Sequence, residues 1–349
     1  MKILLKYIWI GGNNEIRTKI KVFSSYSLLQ YCDNKLVNEK MIPINIPDWN
    51  FDGSSTGQAD GSDSEVILKP VKIYKDPFQT RLESYLVLCE TYTLNNLEHE
   101  TNKRKIARNI FSFKNVNHYK PLFGIEHEFF IMKKTQDGYK PIGFEHNPTE
   151  QGQYYCSVGY ENCNGQQFLD EALELCLKAN LNVTGSNIEV CPGQAEIQIC
   201  AEDIKAADDS VILKYILHRL GELYEYKIDF SAKPIKGNWN GSGCHVNFST
   251  IQMRDENGII AIDQAIEKLK FKHSEHIKLY GDDNVERLTG LHETSNINTF
   301  TYGVADRGAS IRIPKTTIEK QRGYFEDRRP SSSADMYLVT SKIFDTCIN

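Results

Sequence analysis

The chain lacks any surplus of basic residues. Its 41 lysines and arginines stand against 46 acidic residues, for a net charge of −5, and no polybasic run occurs. Neither nucleic acid nor an anionic membrane surface is therefore expected as a partner. Long hydrophobic runs are also missing: nothing approaches the ~18–20 apolar residues that span a bilayer. The opening stretch from Met1 to Ile10 is apolar but short. It is interrupted by Lys2 and Lys6 and has no small-residue cleavage site, so no signal peptide is expected. Internal repeats and low-complexity tracts are absent. Nine cysteines are scattered at Cys32, Cys89, Cys156, Cys163, Cys176, Cys191, Cys200, Cys244 and Cys347. None forms a CxxC pair, which argues against a zinc ribbon or a thioredoxin-like motif. Free thiols in a reducing, cytoplasmic setting are the simpler reading.

What is present is an ordinary globular composition, 349 residues with 40% hydrophobic and 25% charged. That length suits two domains, or one large domain with an appendage. Residues 1–92 read as strands and loops. Tyr7–Ile10, a Gly-Gly-Asn-Asn turn at 11–14 and Ile16–Phe23 predict a hairpin. A polar loop from Asp52 to Ser64 precedes strand-like Glu65–Leu68, and Tyr85–Cys89 reads as a buried strand. A boundary is expected in the Asn/Glu/His-rich stretch 94–102, dividing the chain into 1–98 and 99–349. Helical text follows at 101–114, at 168–179 and at 203–226. A further helix is expected to be capped by Asp263 and to run to Tyr280.

Carboxylates recur in unusual places. In the apolar strand Phe123–Ile131, Glu126 and Glu128 fall on one face, where burying both is costly unless a cation offsets their repulsion. Pro192-Gly193 is a turn that would fold Glu189 towards Glu196, with Gln198 on the face of Glu196. The glycine-rich Gly237–Gly243 permits close backbone approach to a ligand, and the following strand aligns His245, Asn247 and Ser249. Glu326 lies in Tyr324–Pro330. Five glutamates and one histidine make a hard, oxygen-rich set that favours Mg²⁺ or Mn²⁺. Six protein ligands exceed what one Mg²⁺ takes, so two or more ions are implied, as suits phosphoryl transfer. Each piece also has a plainer reading. Glu126 and Glu128 could form a half-exposed strand edge, Glu189 and Glu196 a solvated hairpin, and His245 a core histidine. His273 and His276, three apart on a helix, are read as structural because no carboxylates accompany them.

Arg287, Arg307, Arg312 and Arg328 supply the opposite charge. Arginine is suited to bidentate binding of carboxylate and phosphate, although any one of them could be an ordinary surface residue. The polar loop His292–Gly303 reads either as a lid that excludes water or as a passive surface loop.

Several long motifs, in order, resemble the type II (eukaryote-like) glutamine synthetase family: Trp49–Gly57, Gly237–Thr250, His292–Asn298 and Tyr324–Pro330. The likeness runs from Tyr7-Ile8-Trp9 to the C-terminal helix. It implies an α+β fold, with a small β-grasp-like N-terminal domain and a large catalytic domain whose curved antiparallel sheet is flanked by helices. It further implies a homo-oligomer of stacked rings, a decamer, with active sites between subunits. The implied substrates are ATP, L-glutamate and ammonia, joined through γ-glutamyl phosphate. One ion would be held by Glu128, Glu189 and Glu196, the other by Glu126, His245 and Glu326. Arg287, Arg307 and Arg328 would hold glutamate, supported by Asn238, Trp239, Asn240 and Gly241. Glu126, Glu196, Asn247, Ser249, Arg307, Arg312 and Tyr324 would meet the nucleotide, Arg312 also acting in catalysis. Asp52 of an adjacent subunit would bind ammonium, and Glu293 would close the site and accept a proton. The chain departs from the family at Ala195 (usually tryptophan), at Cys200-Ala201 (Gly-Pro), at His127 (glutamine), at Asp306 (asparagine) and at Glu161–Asn164. A non-catalytic family member with a structural or binding role is the competing expectation; losing the metal ligands, Asp52 or Glu293 would mark it, and all are retained.

Overall fold

The computed structural model describes residues 2–24, 46–113, 116–150 and 152–349; Met1, Cys32 and Lys114 lie outside the described residues. The chain divides into two compact units, residues 1–105 with 175–180, and residues 106–174 with 181–349.

The first unit is a five-stranded sheet of β1 (Lys2–Ile10), β2 (Ile16–Ser24), β3 (Trp49–Asp52), β4 (Glu65–Lys75) and β5 (Glu83–Thr93), in the order β2-β1-β5-β4-β3. β1 and β5 pair in parallel and the other neighbours are antiparallel. Alternation along β1 buries Ile3, Leu5, Tyr7 and Trp9 against Phe51, Val66, Leu68, Val87 and Cys89. The expected hairpin forms, and Gly12 shows why its turn is glycine-rich. Its amide donates to the Thr56 carbonyl at 2.9 Å, and a Cβ there would come within 2.4 Å of the Gly57 carbonyl oxygen. Pro70 stands at a register shift between β4 and β5, where a ladder donor is not needed.

The second unit holds a nine-stranded sheet. Its strands are β6 (Leu122–Thr135), β7 (Gly138–Pro141), β8 (Val183–Ile188), β9 (Gln194–Glu202), β10 (Tyr226–Asp229), β11 (Cys244–Ser249), β12 (Tyr302–Val304), β13 (Ile311–Ile313) and β14 (Phe325–Asp327). The order is β12-β13-β14-β11-β6-β9-β8, with β7 and β10 also on β6. Only the β12–β13 pair is parallel among the described strands of this sheet. The longer helices are α1 (Lys103–Phe113), α2 (Gln166–Lys178), α3 (Lys205–Tyr224), α4 (Ile259–Phe271) and α5 (Met336–Ile348). This is the α+β architecture expected from the family likeness. None of the described helices is long and apolar enough to cross a membrane.

The long strand β6 sorts its residues by parity. Phe123, Ile125, His127 and Phe129 turn to the helical side and are fully buried. Phe123 packs on Phe111 and Phe248, at ring distances of 6.1 and 5.1 Å, and His127 Nε2 meets Ser210 Oγ of α3 at 2.8 Å. Glu126 and Glu128 occupy the opposite face. A strand with one face in an apolar core cannot slip by one residue without burying those carboxylates there.

One helix differs from its expectation. Asp263 does not cap; it lies within α4, which starts at Ile259 behind Gly258 and ends at Phe271. Gly258 sits so close to the preceding turn that a Cβ would fall 2.2 Å from the Met253 carbonyl oxygen. The apolar residues Ile259, Ile260 and Ile262 extend the helical stripe N-terminally, past the aspartate. A short helix, His273–Ile277, follows the break at Lys272.

Replacing Phe123 by alanine should lower stability by about 3–5 kcal/mol, the usual result of opening an aromatic-sized cavity in a core. Phe113→Ala, at an 85% exposed side chain, should stay within ~0.5 kcal/mol. Urea midpoints of the two variants check the contrast.

Candidate active site

Register places the polar residues of four strands in one row. His245 of β11 lies opposite Glu126 of β6, while Glu126 and Glu128 lie opposite Gln198 and Glu196 of β9. Glu326 of β14 lies opposite Asn247 of β11 and Arg312 of β13. The Pro192-Gly193 turn closes β8 onto β9. Gly193 adopts φ 72°, and a Cβ there would sit 2.8 Å from the Ile142 carbonyl oxygen. Glu189 follows β8 and donates its amide to the Gln194 carbonyl at 2.9 Å. The hairpin reading of 187–199 therefore holds, and Glu189 and Glu196 line one cavity with Glu126, Glu128, His245 and Glu326.

His245 Nδ1 is 3.3 Å from Glu126, 3.5 Å from Glu326 and 3.8 Å from Glu128. Glu126, His245 and Glu326 each offer a donor atom within 4.8 Å of the others. Neutral donors steady the carboxylates. Gln194 Nε2 and the Gly243 amide donate to Glu128 at 2.9 and 2.8 Å. Asn247 donates to Glu126 at 2.8 Å, Gln198 to Glu196 at 2.7 Å, and Asn187 to Glu189 at 2.9 Å. These bonds do not neutralise the charge. Burial and the nearby Glu189 push the Glu128 carboxyl up to about 8. Burial with Glu196 raises Glu189 to about 8, and burial with Glu126 and Glu128 does the same to Glu196. Burial, and then Arg328, hold His245 well below its ordinary range, so its ring is neutral.

This donor set fits hard divalent cations. It combines clustered carboxylates with one neutral imidazole, and the nearby buried Cys244 turns away towards His127 Nδ1 at 3.4 Å. Fully buried Glu326 lends further support. One of its oxygens accepts from Arg328 at 2.7 Å, whereas the other lies 2.6 Å from Arg312 Nε without forming a hydrogen bond. His245 Nε2 is 3.0 Å from Arg287 Nη2. Arginine donates only, so the ring proton sits on Nδ1. A cation taken there requires that proton to move, with Arg287 Nη2 left to the Arg328 carbonyl it already meets at 3.0 Å.

The cavity is about 340 Å³, and its wall includes Arg287, Arg307, Arg312, Arg328, Asn240 and Gly241 beside the carboxylates. The loop after Leu291 contributes His292, Glu293 and Thr294. His292 and Glu293 take φ values of 53° and 60°, a consecutive left-handed pair that costs roughly 1–2 kcal/mol per residue. Glu293 is held by Arg307 at 2.7 Å, and the Arg307 guanidinium lies 5.6 Å from the Tyr155 ring centre. A second cavity, about 420 Å³, shares Glu126, Gln198 and Arg312 with the first and adds Asn247, Ser249 and Tyr324.

Asn238 and Trp239 line neither cavity, and Asp52 is expected from an adjacent subunit. Asp52 belongs to the first unit; it is exposed and caps a 3₁₀ turn by accepting from the Ser54 amide at 3.0 Å. Its hydrogen bonds to Ser54 lower its pKa. Exposed Asn238 donates to Glu150 at 2.7 Å, and Trp239 packs on Phe144 with ring centres 4.9 Å apart. Glu196 and Arg307, expected at the nucleotide, line the first cavity and not the second. Sequence reading missed Gln194, Asn187, Tyr155 and Arg254. Period-two alternation from Glu196 and Gln198 points to Gln194, whereas Tyr155 sits in an irregular loop with no such signal. Of the departures, His127 and Ala195 lie on the face opposite the carboxylates, Ala195 pairing with Phe129. Cys200 lines the second cavity, and Asp306 accepts from the Gly308 amide at 2.9 Å.

The chain resembles known proteins over nearly its whole length. A family model described as glutamine synthetase, catalytic domain, matches residues 100–273. The chain is 46% identical over 352 residues to the glutamine synthetase cytosolic isozyme of Medicago sativa, covering 99% of this chain and 94% of that one. It is 45% identical over 351 residues to the glutamine synthetase nodule isozyme of Lupinus luteus, covering 99% and 95%. It is 45% identical over 355 residues to glutamine synthetase of Mus musculus, covering 99% and 90%. A cryo-EM structure of Plasmodium falciparum glutamine synthetase shares the fold, with TM-score 0.75 at 16% identity, over 99% of this chain and 71% of that chain.

The raised carboxyls fix a pH dependence. In the cation-free protein, Glu128, Glu189 and Glu196 bind protons more tightly when folded, so their stabilising contribution is full below pH 4.5 and is lost as pH rises through about 8. Cation binding needs the deprotonated groups. The melting temperature with EDTA should therefore fall between about pH 6 and 8, and the rise on adding Mg²⁺ or Mn²⁺ should be larger at the higher pH. Scanning fluorimetry reads both effects; Glu196→Gln should shrink them, and a cation effect independent of pH would contradict the assignment.

Proposed function

Since the chain belongs to the glutamine synthetase family, in its type II, eukaryote-like group, we propose that it is a glutamate–ammonia ligase. It joins ammonia to L-glutamate at the expense of ATP, through γ-glutamyl phosphate, and yields L-glutamine, ADP and phosphate. The observation that carries this reading is the convergence of Glu126, Glu128, Glu189, Glu196, His245 and Glu326 with four arginines in one cavity, which shares Glu126, Gln198 and Arg312 with a second cavity of about 420 Å³.

The residues divide by chemistry. A free carboxylate is a poor electrophile towards ammonia, so the γ-carboxyl must first be phosphorylated. Glu128, Glu189 and Glu196 would hold one divalent cation, Mg²⁺ or Mn²⁺, and Glu126, His245 and Glu326 another. These ions supply neutralisation of phosphate charge during transfer. Arg287, Arg307 and Arg328 hold glutamate, with Asn240 and Gly241 beside them. Arg307 and Arg312 stabilise the phosphoryl charge. Asn247, Ser249 and Tyr324, on the wall of the second cavity, bind the nucleotide. Ammonia, not ammonium, must attack. Asp52, contributed by an adjacent subunit of a stacked-ring decamer, binds ammonium and aids its deprotonation, and Glu293 accepts a proton. Arg307, which pairs with Glu293, gains a substrate carboxylate or phosphate as an alternative partner. Loop closure keeps water from the acyl phosphate. The protein works in the cytoplasm, and neither nucleic acid nor membrane is among its partners.

Phosphate release should require ATP, glutamate and ammonia together, with matching glutamine formation. Glu293→Ala should lower glutamine formation about a hundredfold with the fold and assembly intact. A folded wild type that releases no phosphate under these conditions would leave the non-catalytic reading.

A further inference from the structure

The run Glu326-Asp327-Arg328-Arg329 is two-faced. Glu326 and Arg328 turn to the cavity, while Asp327 and Arg329 turn away and are fully buried behind it. Arg329 Nε and Nη2 grip Asp327 at 2.8 and 2.7 Å, and Tyr280 donates to the same carboxylate at 2.7 Å. The guanidinium lies between the rings of Tyr280 and Phe300, at 5.2 and 5.1 Å. Its remaining nitrogen, Nη1, meets His273 Nδ1 at 3.0 Å, and His273 Nε2 lies 2.9 Å from the Ile297 carbonyl oxygen. Arginine cannot accept, so Nδ1 must accept and Nε2 must carry the proton donated to Ile297. The His273 ring also stands edge-on to Phe300 at 5.7 Å. Ile297 and Phe300 belong to the loop that carries Glu293.

We propose that His273 is a positioning residue for that loop: it ties the rigid Asp327–Arg329 pair to the Ile297 carbonyl and so fixes the root from which Glu293 reaches the cavity. The geometry of the loop favours this. Residues 294–301 are pinned by Thr294 Oγ1 to the Arg287 carbonyl at 3.1 Å, by the Ile297 amide to the Leu288 carbonyl at 2.9 Å, and by Thr301 to Ser310 at 3.2 Å. The left-handed pair His292–Glu293 directly precedes this stretch, with the Glu293 carbonyl accepting from Arg328 Nη2 at 3.4 Å and its carboxylate paired with Arg307, so the position of the root bears on where Glu293 stands. Burial, and then Arg329, hold the His273 ring below its ordinary pKa despite the opposing effect of the Ile297 bond, which keeps Nδ1 able to accept. The inference rests on reading Glu293 as the group that closes the site.

A loosened root should let water compete with ammonia. Water attacking the acyl carbon of γ-glutamyl phosphate returns glutamate and phosphate, so phosphate release would outrun glutamine formation. The test compares wild type with His273→Ala, with His273→Phe, which keeps the ring's volume without its nitrogens, and with His273→Gln, whose amide can accept from Arg329 and donate to Ile297. Phosphate and glutamine are measured together across an ammonia titration at saturating ATP and glutamate. The Ala and Phe variants should raise the KM for ammonia about tenfold, the worth of one hydrogen bond to a charged group. They should also release phosphate in excess of glutamine while the KM for ATP moves much less, and Gln should restore coupling. A folded Phe variant that keeps wild-type coupling and ammonia KM, or a folded Gln variant as uncoupled as Phe, would reduce His273 to a packing residue and overturn the proposal. A wild type that forms no glutamine would instead sink the ligase reading itself.

Discussion

Glu126, Glu128, Glu189, Glu196 and Glu326 face one cavity cut into a sheet whose other face is buried and largely apolar, and their mutual repulsion is the constraint around which the second unit is arranged. Like charges in a poorly solvated space are tolerated only when protons, cationic side chains or metal ions share the site. All three remedies are accounted for. Burial and their mutual repulsion raise three of the carboxyls well above the usual carboxylate range, which favours protons there when no metal is bound. Arg312 and Arg328 flank Glu326. The donor geometry around His245 Nδ1 suits an ion that would replace the protons. A site built this way is tuned to exchange positive charge, as a reaction that moves a phosphoryl group demands.

Strand register is what makes such a site affordable. Because β6 commits its odd residues to the helical core, its even residues must share the other face, and β9, β11 and β14 add their polar residues in the same row. The same parity operates in Glu326–Arg329, where alternate residues serve the cavity and the buried network behind it. Chemistry and stability are thus separated by the thickness of one sheet. That separation also explains why His127 and Ala195 can depart from the family pattern without entering the cavity, whereas Cys200 stands on the wall of the second one.

Much of this was legible in the sequence because it depends on local periodicity. The alternation through Glu126 and Glu128, the Pro192-Gly193 turn and the glycines before His245 each impose a local geometry, and each element formed as read. Which strands lie side by side is a long-range property that spacing does not carry. The start of α4 was misread because Asp263 offered a capping side chain, whereas the packing of Gly258 against Met253 set the boundary. Asn238 and Trp239 share a motif with Asn240 and Gly241, yet a neighbour in sequence is not a neighbour in the cavity where the chain turns as sharply as it does here. Tyr155 and Arg254 reach their cavities from segments with no periodic signal at all.

Anomalous scattering from crystals grown with Mn²⁺ tests the central claim most directly. The account predicts manganese peaks within coordinating distance of Glu126, His245 and Glu326, and of Glu128, Glu189 and Glu196. Manganese bound elsewhere, with this cavity empty at saturating metal, would contradict it.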